Sequence, residues 1–212
     1  MTKNPAVHKK DPSYKQAKKR GYRARSALKL LDIQRKFNIF KRAFYVLDLG
    51  SVPGSWLQVS QEIVEENIEK YKDEQFYRDQ GKIMGVDIKK ISPLENIKTI
   101  KMDFTKPEFQ NEINSYFEDK VDLILSDASI NKSGIKFSDH INQIKLCKEV
   151  LRITKKNLKK GGNFVIKTFT GEDFNQFLKS VKKMFGSAIT YTPKATKKGS
   201  NETYVIGLNK KD

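Results

Sequence analysis

The segment Asp48-Leu-Gly-Ser-Val-Pro-Gly-Ser-Trp56 constrains the fold of this chain more than any other. It follows the apolar run 44–47 and precedes a segment in which apolar residues recur with helical spacing, from residue 57 to about residue 71. A strand, a glycine-bearing turn and a helix start in this order form the unit in which backbone approaches a nucleotide-like ligand. Taken alone, the glycines are also explained by a turn that requires a positive φ angle.

The spacing within this turn narrows the class of ligand. It matches neither the GxxxxGK[ST] pattern of phosphate-binding loops nor the full GxGxxG of dinucleotide binders, which favours a ligand without a pyrophosphate. Asp87 closes the next apolar run, 82–86. An acidic residue at that position can accept hydrogen bonds from both hydroxyls of a ribose. The two sites together point to one adenosine, and S-adenosylmethionine fits them.

The rest of the chain shows strand patterns that alternate with helical ones. Strands are predicted at 44–49, 82–87, 97–102, 121–126, 163–169, 187–192 and 203–208, and helices at 26–40, 55–71, 106–118, 138–158 and 173–184. Such alternation predicts an α/β fold with a mostly parallel sheet and helices on both faces. The turn 194–201 would join the last two strands as a hairpin, giving one antiparallel edge strand. Seven strands so arranged are typical of the Rossmann-like class I methyltransferases.

The charge of the chain indicates a polyanionic partner. Lys and Arg number 42 against 25 Asp and Glu, and the formal net charge of +17 favours nucleic acid. A lysine-rich composition inherited from a biased genome is the alternative, although the charge is also clustered. No apolar run reaches the ~18 residues that span a bilayer, and the first thirty residues contain no signal core. We therefore expect no membrane association and an intracellular location, in the cytoplasm, a nucleolus or an organelle.

The single cysteine indicates neither a disulfide nor a metal centre. Cys147 lies in a helical pattern beside Leu146 and Val150, which is typical of a buried apolar residue in a reducing compartment. No metal is expected, and we expect a monomer.

Charged residues follow or close several of the predicted strands. They are Asp48, Asp87, Asp103, Asp127 and Lys167. One acid at such a position is usually a turn or helix cap. In a doubly wound sheet, however, ligands bind outside the carboxyl ends of the strands, so all five are expected at one ligand-binding edge.

These motifs, taken together, resemble the FtsJ-type (RrmJ-like) family of ribosomal RNA large-subunit ribose 2′-O-methyltransferases. The matching segments start at Gly21-Tyr-Arg-Ala-Arg-Ser-Ala-Leu-Lys29 and continue through 48–56, 85–87, 102–104, 125–127 and 165–172 to Ser200-Asn-Glu202-Thr-Tyr-Val. The resemblance implies a catalytic tetrad of Lys29, Asp127, Lys167 and Glu202. It implies cofactor contacts by Asp48, Gly50, Pro53, Gly54, Trp56, Asp87, Asp103, Phe104 and Asp127. The chain departs from the family pattern in Asp127-Ala-Ser-Ile-Asn131, which lacks a common proline, and in Ser51-Val52 and Ser55.

The implied chemistry explains why such residues are needed. A ribose 2′-hydroxyl is a poor nucleophile at neutral pH and must lose its proton while it is held in line with the methyl carbon. Lys167 is the expected general base. Asp127 would orient Lys167 and face the cofactor sulfonium, and Glu202 would orient Lys29 or the ribose. Considered singly, Lys29 is explained as a surface helix residue and Glu202 as an edge-strand charge.

The amino-terminal segment is expected to be a basic arm over residues 1–25, followed by the methyltransferase domain over 26–212. Its RNA-binding candidates are Lys18, Lys19, Arg20, Arg23 and Arg25, with Tyr14 and Tyr22 available to stack on bases. The favoured function is methylation of a ribose, most simply a uridine, in large-subunit ribosomal RNA. The alternatives are methylation of tRNA anticodon loops and a noncatalytic RNA-binding role in assembly.

Overall fold

The computed structural model describes residues 11–72, 80–130, 134, 136–197 and 199–212. Within these residues the helices are α1 (Pro12–Lys19), α2 (Ser26–Phe37), α3 (Ser55–Tyr71), α4 (Phe109–Phe117), α5 (Lys136–Asn157) and α6 (Phe174–Met184). The strands are β1 (Tyr45–Leu49), β2 (Lys82–Asp87), β3 (Ile97–Lys101), β4 (Val121–Ser126), β5 (Leu158–Phe169), β6 (Phe185–Tyr191) and β7 (Glu202–Lys210). No described helix is long and apolar enough to cross a membrane.

The seven strands form one sheet in the order β3-β2-β1-β4-β5-β7-β6. Pairing is parallel from β3 to β5, whereas β7 runs antiparallel to both β5 and β6. The predicted Rossmann-like α/β fold is therefore confirmed. The reversed strand of the edge hairpin is β7, which lies one position inside the sheet, and β6 is the outermost strand.

The sheet separates two apolar cores, because neighbouring residues of a strand point to opposite faces. On β1, Val46 packs with the layer of α1, α2 and α3, whereas Leu47 and Leu49 pack with that of α4, α5 and α6. The central strands are buried on both faces, which explains their nearly continuous apolar sequences. The carboxyl ends of β1, β2, β4 and β5 consequently meet at one edge of a rigid sheet.

The amino-terminal segment differs from the expected arm. From Pro12 onward it is folded, because Asp11 caps α1 through Ser13 N and both Ala17 and Tyr22 are buried in the core below α2 and α3. The Tyr22 hydroxyl donates to Glu62 at 2.6 Å, so this ring is not available for stacking on bases. Residues 1–10 of the expected arm lie outside the described residues.

Candidate active site

Two glycines shape the turn between β1 and α3. Gly50 has a φ of +80°, and a Cβ there would lie 2.5 Å from the Cβ of Ala128. Gly54 has a φ of +100° and precedes the first residue of α3, and a Cβ there would lie 2.6 Å from Nη1 of Arg23. Both positions therefore favour glycine for backbone conformation, and Gly50 also requires it for space. The turn is held close to the loop that follows β4.

A cavity of about 320 Å³ opens where β1, β2, β4 and β5 end. Its lining combines backbone, apolar and charged groups, namely Gly50, Val52, Asp87, Ile88, Lys89, Phe104, Asp127, Ala128, Ser129, Leu146 and Lys167. Gly50, Asp87, Phe104, Asp127 and Lys167 were predicted site residues, and the structure brings these five together. Ile88 was not predicted, although it follows Asp87 directly. At 56% exposure it is the only large hydrophobic side chain exposed among the described residues.

Asp48 lies at the same edge but is fully buried. Its two carboxyl oxygens have no hydrogen-bond partner among the described residues. Burial raises the pKa of Asp48 to about 8, and the nearby carboxylates of Asp127 and Asp87 act in the same direction. A buried polar group without a partner is costly, so this carboxyl is a group that a bound ligand could satisfy.

Asp87 is anchored by the backbone on both of its oxygens. Oδ2 accepts from Val52 N at 3.0 Å, and Oδ1 accepts from Lys89 N at 2.9 Å. A carboxylate has about four acceptor positions, so two remain for a ribose diol. The hydrogen bond to Val52 also ties the end of β2 to the turn after β1.

The four predicted tetrad residues form two ion pairs beside the cavity. Lys29 of α2 pairs with Glu202 at the start of β7, and Lys167 of β5 pairs with Asp127 at 3.2 Å. The Lys167 ammonium also donates to the carbonyl of Asp127 at 2.5 Å. Lys29 and Lys167 are each less than 10% exposed. Lysines are almost never this buried unless they are paired, so both side chains are held in place by specific partners.

Tyr204 links the two acids of the tetrad and was not predicted. Its hydroxyl donates to Asp127 Oδ1 at 2.7 Å and lies 3.3 Å from Glu202 Oε1. Burial, followed by the charges of Asp127 and Glu202, raises the pKa of Tyr204 far above its usual value, so the phenol keeps its proton. Its ring also lies 5.7 Å from the Lys29 ammonium. The signal in the sequence was its position two residues after Glu202, on the same side of a strand.

Other predicted cofactor residues lie outside the cavity lining. Trp56 is 2% exposed and donates its indole N–H to the carbonyl of Ser26 at 2.8 Å, so it packs α3 against α2 instead of facing the cavity. Asp103 accepts from the backbone and hydroxyl of Thr105 through Oδ1, which caps its own turn and lowers its pKa. The carbonyl of Pro53 accepts from Arg23. Trp56 therefore lies outside the cavity lining, and its contact with the cofactor stays a prediction.

Two of the predicted RNA-binding residues are engaged within the protein. Arg23 donates to the carbonyls of Pro53, Ser92 and Pro93 at 2.7 to 3.1 Å, and Arg25 pairs with Asp11 at 2.5 Å. Arg23 therefore fastens the turn before α3 to the loop after β2. Lys18, Lys19 and Arg20, in contrast, are exposed at the end of α1.

The observed groups fit S-adenosylmethionine. Asp87 offers acceptors for a ribose diol, Ile88 and Phe104 provide apolar surface for an adenine, and the buried carboxyl of Asp48 has no partner among the described residues. The absence of a side chain at Gly50 lets the turn pack directly against Ala128, which lines the cavity. In the described part of the chain, no group of three or more His, Cys, Asp or Glu is arranged to hold a metal ion.

Known proteins resemble this chain along most of its length. The sequence profile of the FtsJ-like methyltransferases matches residues 22–210. A protein named ribosomal RNA large subunit methyltransferase E, from Methanothrix thermoacetophila, is 44% identical over 202 residues, which cover 95% of this chain and 73% of that protein.

Solved structures extend the likeness to the fold. A protein described as a ribosomal RNA methyltransferase from Plasmodium falciparum superposes with a TM-score of 0.75 and 28% identity, over 89% of this chain and 98% of that one. A Streptococcus mutans protein described as a methyltransferase, solved with S-adenosylhomocysteine (SAH), has a TM-score of 0.50 and 12% identity, over 85% and 97% of the two chains. The profile match, the 44% identity and the shared architecture place this chain, as its motifs predicted, in the FtsJ-like methyltransferase family.

Proposed function

We propose that the protein transfers a methyl group from S-adenosylmethionine to a ribose 2′-hydroxyl of large-subunit ribosomal RNA, at a uridine. The observation that carries this proposal is the position of Lys167. This lysine lines the cavity, is paired with Asp127, and lies at the same sheet edge as a second lysine–carboxylate pair, Lys29–Glu202. Such a site can remove a proton from a hydroxyl and stabilise the charge that results.

The cavity residues would hold the cofactor. Asp87 would accept hydrogen bonds from the ribose hydroxyls, Ile88 and Phe104 would pack against the adenine, and Gly50 would allow the chain to approach the amino-acid portion near Asp48. When bound, S-adenosylmethionine supplies an activated methyl carbon. The S. mutans neighbour, which shares the fold, was solved with the corresponding product.

The tetrad would accept the proton of the hydroxyl and stabilise the charges that form. Lys167 would first give a proton from its ammonium to water and then accept the proton of the 2′-hydroxyl, and Asp127 would stabilise the ammonium that forms again. Lys29, held by Glu202, would place a positive charge beside the developing oxyanion. Tyr204 would fix the orientation of both carboxylates through its hydroxyl.

The choice of ribosomal RNA rests on the relatives and on charge. Curated relatives at about 40% identity carry the name of a large-subunit ribosomal RNA enzyme, and the net charge of +17 suits an extended polyanion. Lys18, Lys19 and Arg20 supply exposed cations at the end of α1.

We further propose that the protein works as a monomer inside the cell, in the cytoplasm, a nucleolus or an organelle. Methylation of tRNA is the alternative with the same chemistry.

The test is methyl transfer from labelled S-adenosylmethionine to three RNA samples that lack the modification: large ribosomal subunits, naked ribosomal RNA and bulk tRNA. We expect label in the large subunits or their RNA. Labelling of tRNA alone would replace the ribosomal substrate with the alternative. No labelling of any RNA by a protein that binds SAH would contradict the proposed activity.

A further inference from the structure

A second basic surface lies at the end of the sheet opposite the candidate active site. We call it the distal lysine face and define it by Lys120, Lys155, Lys156, Lys182, Lys183 and Lys210. Two of these lysines end α5 and two end α6. The other two stand directly before β4 and at the end of β7.

Hydrogen bonds join these elements into one surface. Lys120 Nζ donates to the carbonyl of Lys156 at 2.5 Å, and Lys210 Nζ donates to the carbonyls of Lys155 and Leu158 at 3.0 and 2.7 Å. Next to them, Lys211 N donates to the carbonyl of Met184 at 2.8 Å, which brings the end of α6 to the end of β7. The six lysines therefore share one edge of the domain.

Stabilisation of the helix ends does not account for all of these charges. Cations near a helix carboxyl terminus are favourable. At the end of α5, however, Lys120 and Lys210 already donate hydrogen bonds to the last carbonyls. The side chains of Lys155, Lys156, Lys182 and Lys183 remain exposed. In the described part of the chain these four have no carboxylate partner within ion-pair distance, although acids are near.

Two of those acids pair with lysines outside this set. Asp122 pairs with Lys159 at 2.5 Å, and Asp212 pairs with Lys160 at 2.8 Å. The pKa of Lys210 is lowered, first by burial and then by the charge of Lys120. The face thus carries positive charge that its own carboxylates do not neutralise.

We infer that the distal lysine face binds phosphate groups of the RNA substrate at a second site, remote from the nucleotide that is methylated. This inference rests on the proposed RNA substrate. Lys120 of the face directly precedes β4 and Asp127 of the cavity directly follows it, seven residue steps apart, so the two sites are roughly 23 Å apart. An RNA that contacts both must extend around the domain, as a folded RNA or an assembled subunit does.

The composition of the face favours RNA over a membrane surface. Binding to an interface normally requires apolar side chains that insert among the lipids. Among the described residues the only exposed large hydrophobic side chain is Ile88, which lines the cavity at the other end of the sheet. A lysine surface without such side chains suits a phosphate backbone, which is bound through charge alone.

The test compares two variants that lose the same charge from the same helices. The first, Lys155→Gln/Lys156→Gln/Lys183→Gln, alters the face, and the matched control, Lys145→Gln/Lys148→Gln/Lys179→Gln, alters exposed lysines in the middle of α5 and α6. Binding to large ribosomal subunits that lack the modification is measured across salt concentrations. A plot of the logarithm of the association constant against the logarithm of the salt concentration has a negative slope. We expect this slope to become shallower by about 2 to 3 in the first variant, roughly one for each lost phosphate contact. The control should keep the wild-type slope, and both should bind SAH normally.

The inference would be overturned if the salt dependence of subunit binding weakened equally in both variants, or if it did not weaken in the first. A selective loss of binding to vesicles of anionic phospholipid without any change for the subunits would also overturn it, because the face would then bind lipid. If the wild type methylates no RNA while the selective salt effect is present, the proposed activity fails and the second RNA-binding site stands.

Discussion

The two halves of the candidate site differ in how far the protein satisfies its own charged groups. In the catalytic half, Lys29, Asp127, Lys167 and Glu202 each have an ionic partner, and Tyr204 bridges the two acids. In the proposed cofactor half, Asp48 is buried with no hydrogen-bond partner in the described part of the chain, and Ile88 exposes an apolar side chain. The proposed catalytic half is therefore fixed by the fold, whereas the proposed cofactor half contains groups that a bound ligand would satisfy. This difference predicts that substitutions in the two halves affect different measurements.

The largest effect is expected at Lys167. Lys167→Arg should reduce turnover at least about 1000-fold, because a guanidinium does not lose its proton and cannot act as a base. Affinity for SAH, measured by calorimetry, should stay within a few-fold. Lys29→Arg is the matched control, since it keeps a cation beside Glu202 and should retain reduced but measurable turnover. An active Lys167→Arg beside an inactive Lys29→Arg would assign the base to Lys29.

The next largest effect is expected at Asp87, and on binding. Asp87→Ala removes the acceptors for a ribose diol, a loss of about 2 to 4 kcal/mol, or roughly 30- to 1000-fold in affinity. Asp87→Asn keeps one acceptor oxygen and should lose less. Calorimetric titration with SAH measures both variants. Unchanged affinity in Asp87→Ala would remove this residue from the cofactor half.

A smaller effect, confined to catalysis, is expected at Tyr204. Tyr204→Phe keeps the packing of the ring against Trp56, whose centroid lies 5.9 Å away, but removes the hydroxyl that orients Asp127. Turnover should fall about 10- to 100-fold, the cost of a hydrogen bond to a charged group, with SAH affinity unchanged. Tyr191→Phe is the control, because it removes a phenol that donates to Asp32 at 2.8 Å. Equal losses of turnover in the two variants would indicate a general structural effect.

The effect expected from the titration of Asp48 is on the stability of the fold, not on binding or turnover. Because its pKa is raised to about 8, the folded state holds more protons than the unfolded state between about pH 4 and pH 8. The free energy of unfolding should therefore fall as the pH rises through this window, by up to about 1.4 kcal/mol per unit. Chemical denaturation at pH 5 and pH 8 should show a smaller fall for Asp48→Asn. The same pH dependence in both proteins would show that Asp48 does not titrate as described.

The architecture could be predicted from the sequence because the local apolar patterns match the strands and helices of the sheet that forms. Strand and helix positions followed from apolar periodicity, and strand ends placed Asp87, Asp127 and Lys167 at one edge. Such rules could not predict that Lys29 and Glu202 lie at this edge, because their ion pair depends on how α2 packs against the sheet near β7. They were assigned through resemblance to a family.

Other features were missed or misplaced because they depend on side-chain packing. Helix α1 had a start signal in Asp11-Pro12, but the density of lysines concealed it. Trp56 was expected at the cofactor and is instead buried against α2, which no spacing rule reveals. Arg23 was expected on RNA, yet its guanidinium meets three backbone carbonyls.

The position of the transferred methyl group on the RNA shows whether the tetrad deprotonates a ribose hydroxyl. Ribosomal RNA labelled by the wild-type protein is digested to nucleosides, and the methylated product is identified by mass spectrometry, with Lys167→Arg as the parallel reaction. We predict a single 2′-O-methylated nucleoside, uridine, from the wild type and none from the variant. A methyl group on a base, or a 2′-O-methylated product at wild-type rate from Lys167→Arg, would contradict this role of the tetrad.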